Sequence, residues 1–190
     1  CNTLFPMRMG ILNMMGDDHA EVITPFQRLM QSPPIVAIYE KIWRRIGYYL
    51  ASSRSFGKEM EMVMRHADHK SPDRTLDLAC GPGVFTRPLA KLTGGLVIGL
   101  DLSWPMLLHA RRLAKRDGTD NILFVRATAF RLPFVDGAFQ YVNCCGALHL
   151  FDRPEAALQE IRRILNSNGH LCVQTTIRPT RSAGIAYFLE

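Results

Sequence analysis

The stretch LDLACGPG at residues 76–83 decides the fold of this chain. The apolar run Thr75–Ala79 leads directly into a turn that contains Gly81 and Gly83, and an amphipathic segment from Val84 to Leu92 follows. This order predicts a strand, a tight turn and a helix. Because glycine has no Cβ atom, a ligand can approach the backbone closely at both glycines.

Two acids stand near the ends of the first two strands of this pattern. Asp77 lies toward the end of the first strand, and a second apolar strand, Gly95–Leu100, runs into Asp101. Open α/β sheets bind ligands at the carboxyl ends of their strands, and an acid after the second strand commonly accepts hydrogen bonds from ribose hydroxyls. We therefore expect a ligand that carries a ribose beside Asp101.

The turn also restricts the rest of the ligand. A dinucleotide fingerprint requires a third glycine where this chain has Thr86, and no Gly-Lys-Ser/Thr sequence follows as in a P-loop. A carboxylate at Asp77 would repel a pyrophosphate but would suit an ammonium or a sulfonium group. S-adenosylmethionine has both a ribose and a sulfonium, and it is the predicted cofactor.

With these features the chain resembles the class I S-adenosylmethionine-dependent methyltransferases. Within them it is similar to the ubiquinone/menaquinone-biosynthesis C-methyltransferases and to uncharacterised methyltransferases of plastids and cyanobacteria. The resemblance covers about Thr24 to Arg178 and rests on LDLACGPG, VIGLDLSWPML, FVRATAFRLPFVDGAFQYV and RRILNSNGHL in that order. It implies an α/β fold with a Rossmann-like sheet, helices on both faces and an N-terminal helical lid.

The resemblance also implies roles for individual residues. Asp77 and the backbone around Ala79, Gly81 and Gly83 would hold the amino-acid half of the cofactor, and Asp101 would bind the ribose. Met106, which would pack near the adenine, is equally compatible with plain helix core. The further cofactor-binding positions are Leu102, Met106, Thr128 and Ala129.

Two positions depart from the family's pattern. Relatives usually have an acid at Thr128, where it binds the adenine amino group, and often have Asp at Gln140. The threonine hydroxyl can still accept a hydrogen bond, but it lacks the charge-assisted gain of about 1 kcal/mol.

His149 is the candidate catalytic base. It follows the fourth strand of the core, which in the family faces both the donor methyl group and the acceptor, and its pKa range suits proton transfer near neutrality. The alternative is a histidine that closes a hydrogen bond to the following loop. Cys144 and Cys145 are weaker candidates, because methyl transfer from a sulfonium is a direct displacement that needs no enzyme nucleophile.

The remaining sequence predicts alternating strands and helices. After the glycine turn we expect strands at 95–101, 122–127, 139–145 and 170–177 and helices at 104–116 and 154–165, the last helix stopped by Asn166–Gly169. Upstream, residues 1–23 show no clear period and are interpreted as a loop or irregular arm. Helices are expected from Thr24, at 35–50 and at 57–67. We divide the chain into an N-terminal arm and lid (1–70) and a cofactor-binding core (71–190).

The family normally continues with another helix and two further strands, one of them antiparallel. This chain ends at Glu190. The C-terminal strands are therefore expected to be missing, which would leave the strand at 170–177 as an unpaired edge.

Composition limits the partners and the compartment. With 190 residues, 47% hydrophobic and 21% charged, the chain fits one globular domain, and no apolar run reaches the roughly 18 residues that span a bilayer.

The formal charge of +6 comes from scattered basic pairs, which favours a solvated face over nucleic-acid binding. Five cysteines without a C-x-x-C pair give no metal site and indicate a reducing compartment, the cytoplasm or a plastid.

The predicted acceptor is a small apolar or aromatic molecule, because the N-terminal region carries many aromatic residues and few charges. These residues are Tyr39, Trp43, Tyr48, Tyr49 and Phe56. Two alternatives remain open, an RNA-modifying methyltransferase and a protein that binds the cofactor without transferring methyl. Cys1 also leaves open whether a cysteine-rich ribbon precedes the domain.

Overall fold

The computed structural model describes residues 5–15, 56–68, 73–176 and 186–189. These ranges contain eight strands, four α-helices and one short 3-10 helix. Among the described helices, none has the length and apolar character needed to cross a membrane. In chain order the elements are β1 Met7–Arg8, β2 Ile11–Asn13, α1 Phe56–Asp68, β3 Arg74–Leu78, α2 Thr86–Thr93, β4 Leu96–Asp101, α3 Trp104–Arg116, β5 Ile122–Arg126, β6 Phe139–Cys145, the 3-10 helix Leu148–Leu150, α4 Pro154–Ile164, β7 Leu165–Thr176 and β8 Ala186–Leu189.

The strands form one sheet in the order β1-β2-β5-β4-β3-β6-β7-β8. The six strands from β2 to β7 pair in parallel, while β1 and β8 run antiparallel at the two edges. The strand order reverses between β3 and β6, and such a switch point opens a crevice at the carboxyl ends of the strands. The expected α/β class with a Rossmann-like sheet is confirmed.

Helices cover both faces of the sheet. The α4 residue Ile161 packs in one apolar cluster with Leu76 and Leu78 of β3. Val63 of α1 and Leu89 of α2 pack in a second cluster, and α3 contributes to a third. Because successive strand residues point to opposite faces, the alternation along β3 supplies apolar side chains to one face and places Asp77 on the other.

The hairpin β1–β2 corrects the prediction of an irregular arm at residues 1–23. Its two-residue turn consists of Met9 (φ 50°) and Gly10 (φ 72°), and positive φ at both positions is typical of a type I′ hairpin turn. Strands of two and three residues are too short to show a period. Pairing with β5 and complete burial of Ile11 stabilise the hairpin instead.

Downstream, the helix at 104–116 and the strand at 139–145 have the predicted bounds. α4 ends at Ile164, one residue before its predicted end, but the run Asn166–Gly169 belongs to β7, which begins at Leu165. Leu165 already pairs with Phe139 of β6, and the register shifts before the next pair, so the polar run is an irregularity within β7.

The third predicted helix is present as α1, one residue longer at each end than 57–67. The helices expected from Thr24 and at 35–50 lie outside the described residues. The lid and the division at residue 70 therefore stay predictions, although β1 and β2 belong to the same sheet as the core.

The C-terminal edge also differs from expectation. β8 pairs antiparallel with β7, with Val173 opposite Leu189 and Thr176 opposite Ala186. The prediction that β7 is an unpaired edge is wrong, and one antiparallel strand is present. A four-residue strand gives a weak sequence signal, although Tyr187 and Phe188 are residue types that favour strands.

Candidate functional site

The turn between β3 and α2 is held in left-handed backbone conformations. Ala79 has φ 56°, Gly81 φ 54° and Gly83 φ 75°. A Cβ atom at Gly81 would meet no other atom within 4 Å, whereas one at Gly83 would lie 3.1 Å from the Cβ of Ala110 in α3. Gly81 therefore borders open space that a ligand can enter, and Gly83 allows α3 to pack closely. The left-handed Ala79 costs roughly 1 kcal/mol, a strain often found at functional sites.

Asp77 lies behind this turn rather than on its surface. Only 2% of the residue is exposed. Its Oδ2 accepts a hydrogen bond from the Thr86 hydroxyl at 2.5 Å, and its Oδ1 accepts one from Nδ2 of Asn143 at 2.7 Å. The buried carboxylate thus joins β3, α2 and β6. Asp77 is predicted to help hold the amino-acid half of the cofactor. From its buried position it would do so by fixing the shape of the turn and by its negative charge.

The sequence alone did not reveal these two partners of the carboxylate. Thr86 occupies the third-glycine place of the fingerprint, and that departure was a usable signal. Asn143 is 66 positions from Asp77. Only the parallel pairing of β3 with β6, which places the two residues opposite each other, brings it there.

Asp101 connects the turn to the start of α3. Its Oδ2 accepts a hydrogen bond from the Gly81 N–H and its Oδ1 one from the Ser103 N–H, both at 2.8 Å. Burial raises the pKa of Asp101, and these backbone hydrogen bonds oppose the rise. A carboxylate has about four acceptor positions. Asp101 therefore keeps acceptor capacity for ribose hydroxyls while it fixes the protein backbone.

The other predicted cofactor residues lie along the same carboxyl edge. Leu102 follows β4, and its carbonyl accepts a hydrogen bond from Nε of Arg126 at 2.9 Å. Thr128 and Ala129 follow β5 and are half-buried. The Thr128 hydroxyl accepts a hydrogen bond from the Phe130 N–H at 3.2 Å. Met106 is buried in α3, which fits a core role, and its contact with the adenine stays a prediction.

His149 lies in the 3-10 helix after β6 and is exposed. Its Nδ1 is 3.4 Å from the hydroxyl of Thr175 in β7, so His149 contacts the neighbouring strand. The Gly146 N–H donates to the Gln174 carbonyl at 2.7 Å and joins the same two strand ends. His149 is therefore held at the carboxyl edge, and its catalytic role stays a prediction.

Two cysteines near the site, Cys80 and Cys144, favour the protonated thiol. Burial raises the pKa of Cys144 to about 12 and that of Cys80 well above its ordinary value, and nearby carboxylates reinforce both rises. Neither thiol suits a nucleophilic role. Within the described ranges, no three His, Cys, Asp or Glu side chains are grouped so that they could hold a metal ion.

Gln140 lies away from the site. Its Oε1 accepts a hydrogen bond from the Arg74 N–H at 3.0 Å, and Arg74 begins β3. Gln140 is thus at the amino ends of the strands, opposite the carboxyl edge. Its departure from the family's aspartate has no direct bearing on cofactor binding.

Arg87 holds the glycine turn from its buried side. The sequence alone did not reveal this role. The residue is 7% exposed. Its Nε donates to the Gly83 carbonyl at 3.1 Å, and its Nη1 donates to Oδ2 of Asp117 at 2.7 Å. Asp117 follows α3 and also pairs with Arg116. The turn is therefore tied to both ends of α3, through Asp101 at one end and Asp117 at the other.

Residues 75–169 match the family described as methyltransferase domain. The match covers half of the chain and includes the glycine turn and both acids, so the protein belongs to this family. The expected family and fold are confirmed, and S-adenosylmethionine is the cofactor that this assignment implies.

Individual proteins agree with the family. An uncharacterized chloroplastic methyltransferase of Arabidopsis thaliana is 33% identical over 169 residues, which are 85% of this chain and 47% of that protein. A demethylmenaquinone methyltransferase of Thermus thermophilus is 38% identical over 138 residues, 70% of this chain and 62% of that protein. This chain thus spans about half to three-fifths of these relatives.

A solved structure supports the fold. The S-adenosylmethionine-dependent methyltransferase of Aquifex aeolicus superposes with a TM-score of 0.62 and covers 80% of this chain and 77% of that chain. Its sequence identity is 17%, so the likeness concerns the fold alone.

Asp117→Ala is expected to lower the free energy of unfolding by about 3 kcal/mol at pH 7, because the buried Arg87 loses its carboxylate partner. Hydrogen bonding from Arg87 holds the pKa of Asp117 below its ordinary value. The stabilisation is therefore complete above the unfolded pKa of about 3.9 and is lost as pH falls through the lower folded pKa.

Urea unfolding between pH 7 and pH 3 measures this effect. The difference between wild type and Asp117→Ala should shrink below about pH 4. Asp120→Ala, at an exposed aspartate nearby, serves as the control. Equal losses in the two variants at pH 7 would show that the ion pair does not stabilise the turn.

Proposed function

We propose that the protein transfers the methyl group of S-adenosylmethionine to a small apolar or aromatic molecule. The observation that carries this proposal is the open space at Gly81. It lies beside the carboxylate of Asp101, which can accept further hydrogen bonds. Both lie at the carboxyl edge of a parallel sheet, where open α/β folds bind ligands.

The residues present fit the cofactor. The amino-acid half would lie at the turn formed by Ala79, Gly81 and Gly83, with the buried charge of Asp77 behind it. Asp101 would accept hydrogen bonds from the ribose. The adenine would lie among side chains and backbone groups that follow β4 and β5, namely Leu102, Met106, Thr128 and Ala129.

Aromatic pairs at two places near the carboxyl edge support an apolar acceptor. The rings of Phe56 in α1 and Phe85 in the glycine turn have centroids 6.4 Å apart. The rings of Phe130 and Phe151, which follow β5 and β6, meet edge to face at 5.7 Å. The Thermus relative is named as a demethylmenaquinone methyltransferase, which also indicates a small-molecule acceptor. The other N-terminal aromatic residues that indicate an apolar acceptor, Tyr39, Trp43, Tyr48 and Tyr49, lie outside the described residues.

The bound cofactor supplies a methyl group activated by the positive sulfonium. The protein's task is then to align the acceptor in line with that methyl group and to exclude water, which is chiefly proximity and orientation. If the acceptor atom must lose a proton, His149 is the proposed base. Its ring is exposed at the carboxyl edge and lies near Thr175, where an acceptor could reach it.

We place this activity in the cytoplasm, or in a plastid if the protein comes from a plant. Four buried cysteines are free thiols, as a reducing compartment favours, and the Arabidopsis relative is named as chloroplastic.

The direct test incubates the protein and methyl-labelled cofactor with a metabolite extract and, in parallel, with total RNA. We expect label in an organic-soluble small molecule together with S-adenosylhomocysteine. Label in RNA would replace the proposed acceptor with a nucleic acid. Cofactor binding without product in either arm would favour a protein that keeps the cofactor but transfers no methyl.

Gly81→Val should abolish binding of S-adenosylhomocysteine, because the side chain would fill the open space at the turn. Gly94→Val is the matched control, since Gly94 has φ 64° and also borders open space but lies after α2. Both variants carry a similar left-handed strain of roughly 1 to 2 kcal/mol. Calorimetry measures the Kd, and equal binding by the two variants would refute the placement of the ligand.

Asp101→Ala is expected to weaken binding of S-adenosylhomocysteine by about 1 to 3 kcal/mol, the scale for losing hydrogen bonds to a charged group. The fold should survive, as melting curves would show, because Asp101 lies at the carboxyl edge of the sheet and the residue is only partly buried. Asp152→Ala, at an exposed aspartate, is the control. An unchanged Kd would show that Asp101 does not bind the ribose.

Thr128→Asp should tighten binding by about 1 kcal/mol. One carboxylate oxygen can keep the hydrogen bond from the Phe130 N–H, since aspartate forms the same local turn, and the other can accept from the adenine amino group. Thr128→Asn has the same shape without the charge and should gain less. Weaker binding by the aspartate variant would mean that the nearby Phe130 makes the charge costly to bury.

A further inference from the structure

The N-terminal hairpin reaches the candidate site through backbone hydrogen bonds. β2 lies parallel to β5, with Ile11 opposite Phe124 and Asn13 opposite Arg126. Immediately after β2, the Met14 N–H donates to the Arg126 carbonyl at 2.9 Å. The hairpin thus holds the last residue of β5, directly before the segment that carries Thr128 and Ala129.

The same row of contacts continues across the sheet. The Ala127 N–H donates to the Asp101 carbonyl at 3.3 Å, and the Asp101 carboxylate accepts from the Gly81 N–H. Three consecutive contacts, Met14 to Arg126, Ala127 to Asp101 and Gly81 to Asp101, therefore connect the hairpin with the glycine turn.

Side chains reinforce the connection on both faces of the hairpin. Ile11 is fully buried and packs in one cluster with Cys80 of the glycine turn and Leu107 of α3. On the opposite face, Leu12 and Met14 pack against the cluster that also receives Ala129. β2 is thus built into the core, whereas β1 is exposed.

Arg126 carries the connection to the segment after β4. Its backbone carbonyl accepts from Met14, and its side-chain Nε donates to the Leu102 carbonyl at 2.9 Å. A half-buried guanidinium with a fixed backbone has few alternative positions. Holding the backbone of Arg126 therefore also holds Leu102, next to the ribose-binding acid.

We propose that the β1–β2 hairpin is a positioning element of the cofactor site, which sets cofactor affinity by fixing Arg126 and, through it, the ribose and adenine side. This inference rests on the proposed binding of S-adenosylmethionine at the carboxyl edge. It assigns Met14 and Arg126 as positioning residues, since neither is required to touch the ligand.

The test compares Met14→Pro with Met14→Ala. Proline removes the N–H that binds the Arg126 carbonyl, and the preceding Asn13 already has the extended conformation that proline requires. Alanine removes the side chain but keeps the N–H. Calorimetry is carried out with S-adenosylhomocysteine and with 5′-methylthioadenosine, which has the adenine and ribose but lacks the amino-acid part.

We expect Met14→Pro to raise the Kd of both compounds by the same factor, about fivefold relative to Met14→Ala. This factor corresponds to the loss of one hydrogen bond. Hydrogen exchange should accelerate at residues 126–130. Arg126→Met should cause a similar loss, and the double variant should lose no more than either single variant, because both changes act through one connection.

Equal affinity of Met14→Pro and Met14→Ala, or fully additive losses in the double variant, would overturn the inference. If Met14→Pro does not fold, unchanged affinity of Arg126→Met for both compounds has the same meaning. A wild-type protein that binds neither compound would instead refute the proposed function on which the inference rests.

Discussion

The hydrogen bond from the Gly81 N–H to the Asp101 carboxylate is the interaction on which the site depends. A turn with left-handed residues at 79, 81 and 83 exposes backbone N–H groups that need acceptors. Asp101 satisfies one of them and also the N–H of Ser103, the residue that caps α3. One side chain thereby fixes the turn and the helix and keeps lone pairs that can accept further hydrogen bonds. Packing of Gly83 against α3 and the Arg87 contact with its carbonyl then leave the turn little freedom.

The second acid of the site serves a different purpose because its surroundings differ. Asp77 is buried, and a buried carboxylate is tolerated only when hydrogen bonds replace the lost water. Thr86 and Asn143 supply these bonds from two other elements. The negative charge of Asp77 acts through an interior of low dielectric constant, so it is weakly screened. It therefore favours a cationic group in the crevice near the turn. A sulfonium or ammonium group is therefore favoured over a phosphate, which separates this turn from the phosphate-binding turns it resembles in sequence.

Local sequence sufficed for the parts of the molecule that depend on local physics. The alternation of β3 and β4, the capped helix α3 and the glycine turn all follow from residues adjacent in the chain, and the positions of Asp101 and Gly81 could be predicted from them. The buried partners could not, since Asn143 reaches Asp77 and Asp117 reaches Arg87 only through the sheet and helix packing. The hairpin β1–β2 was missed for the same reason, because its stability comes from β5 and from the burial of Ile11 rather than from its own short strands.

Parallel sheets make such distant contributions to a site unavoidable. The parallel strands end side by side at the carboxyl edge, so strands outside the crevice hold in register those that border it. In this chain the row from Met14 through Arg126 and Ala127 to Asp101 crosses β2, β5 and β4 before it reaches the glycine turn. Adding a strand at one edge therefore changes the stiffness of the crevice without placing a new residue in it. Affinity for the cofactor and stability of the sheet edge are consequently two effects of the same hydrogen bonds.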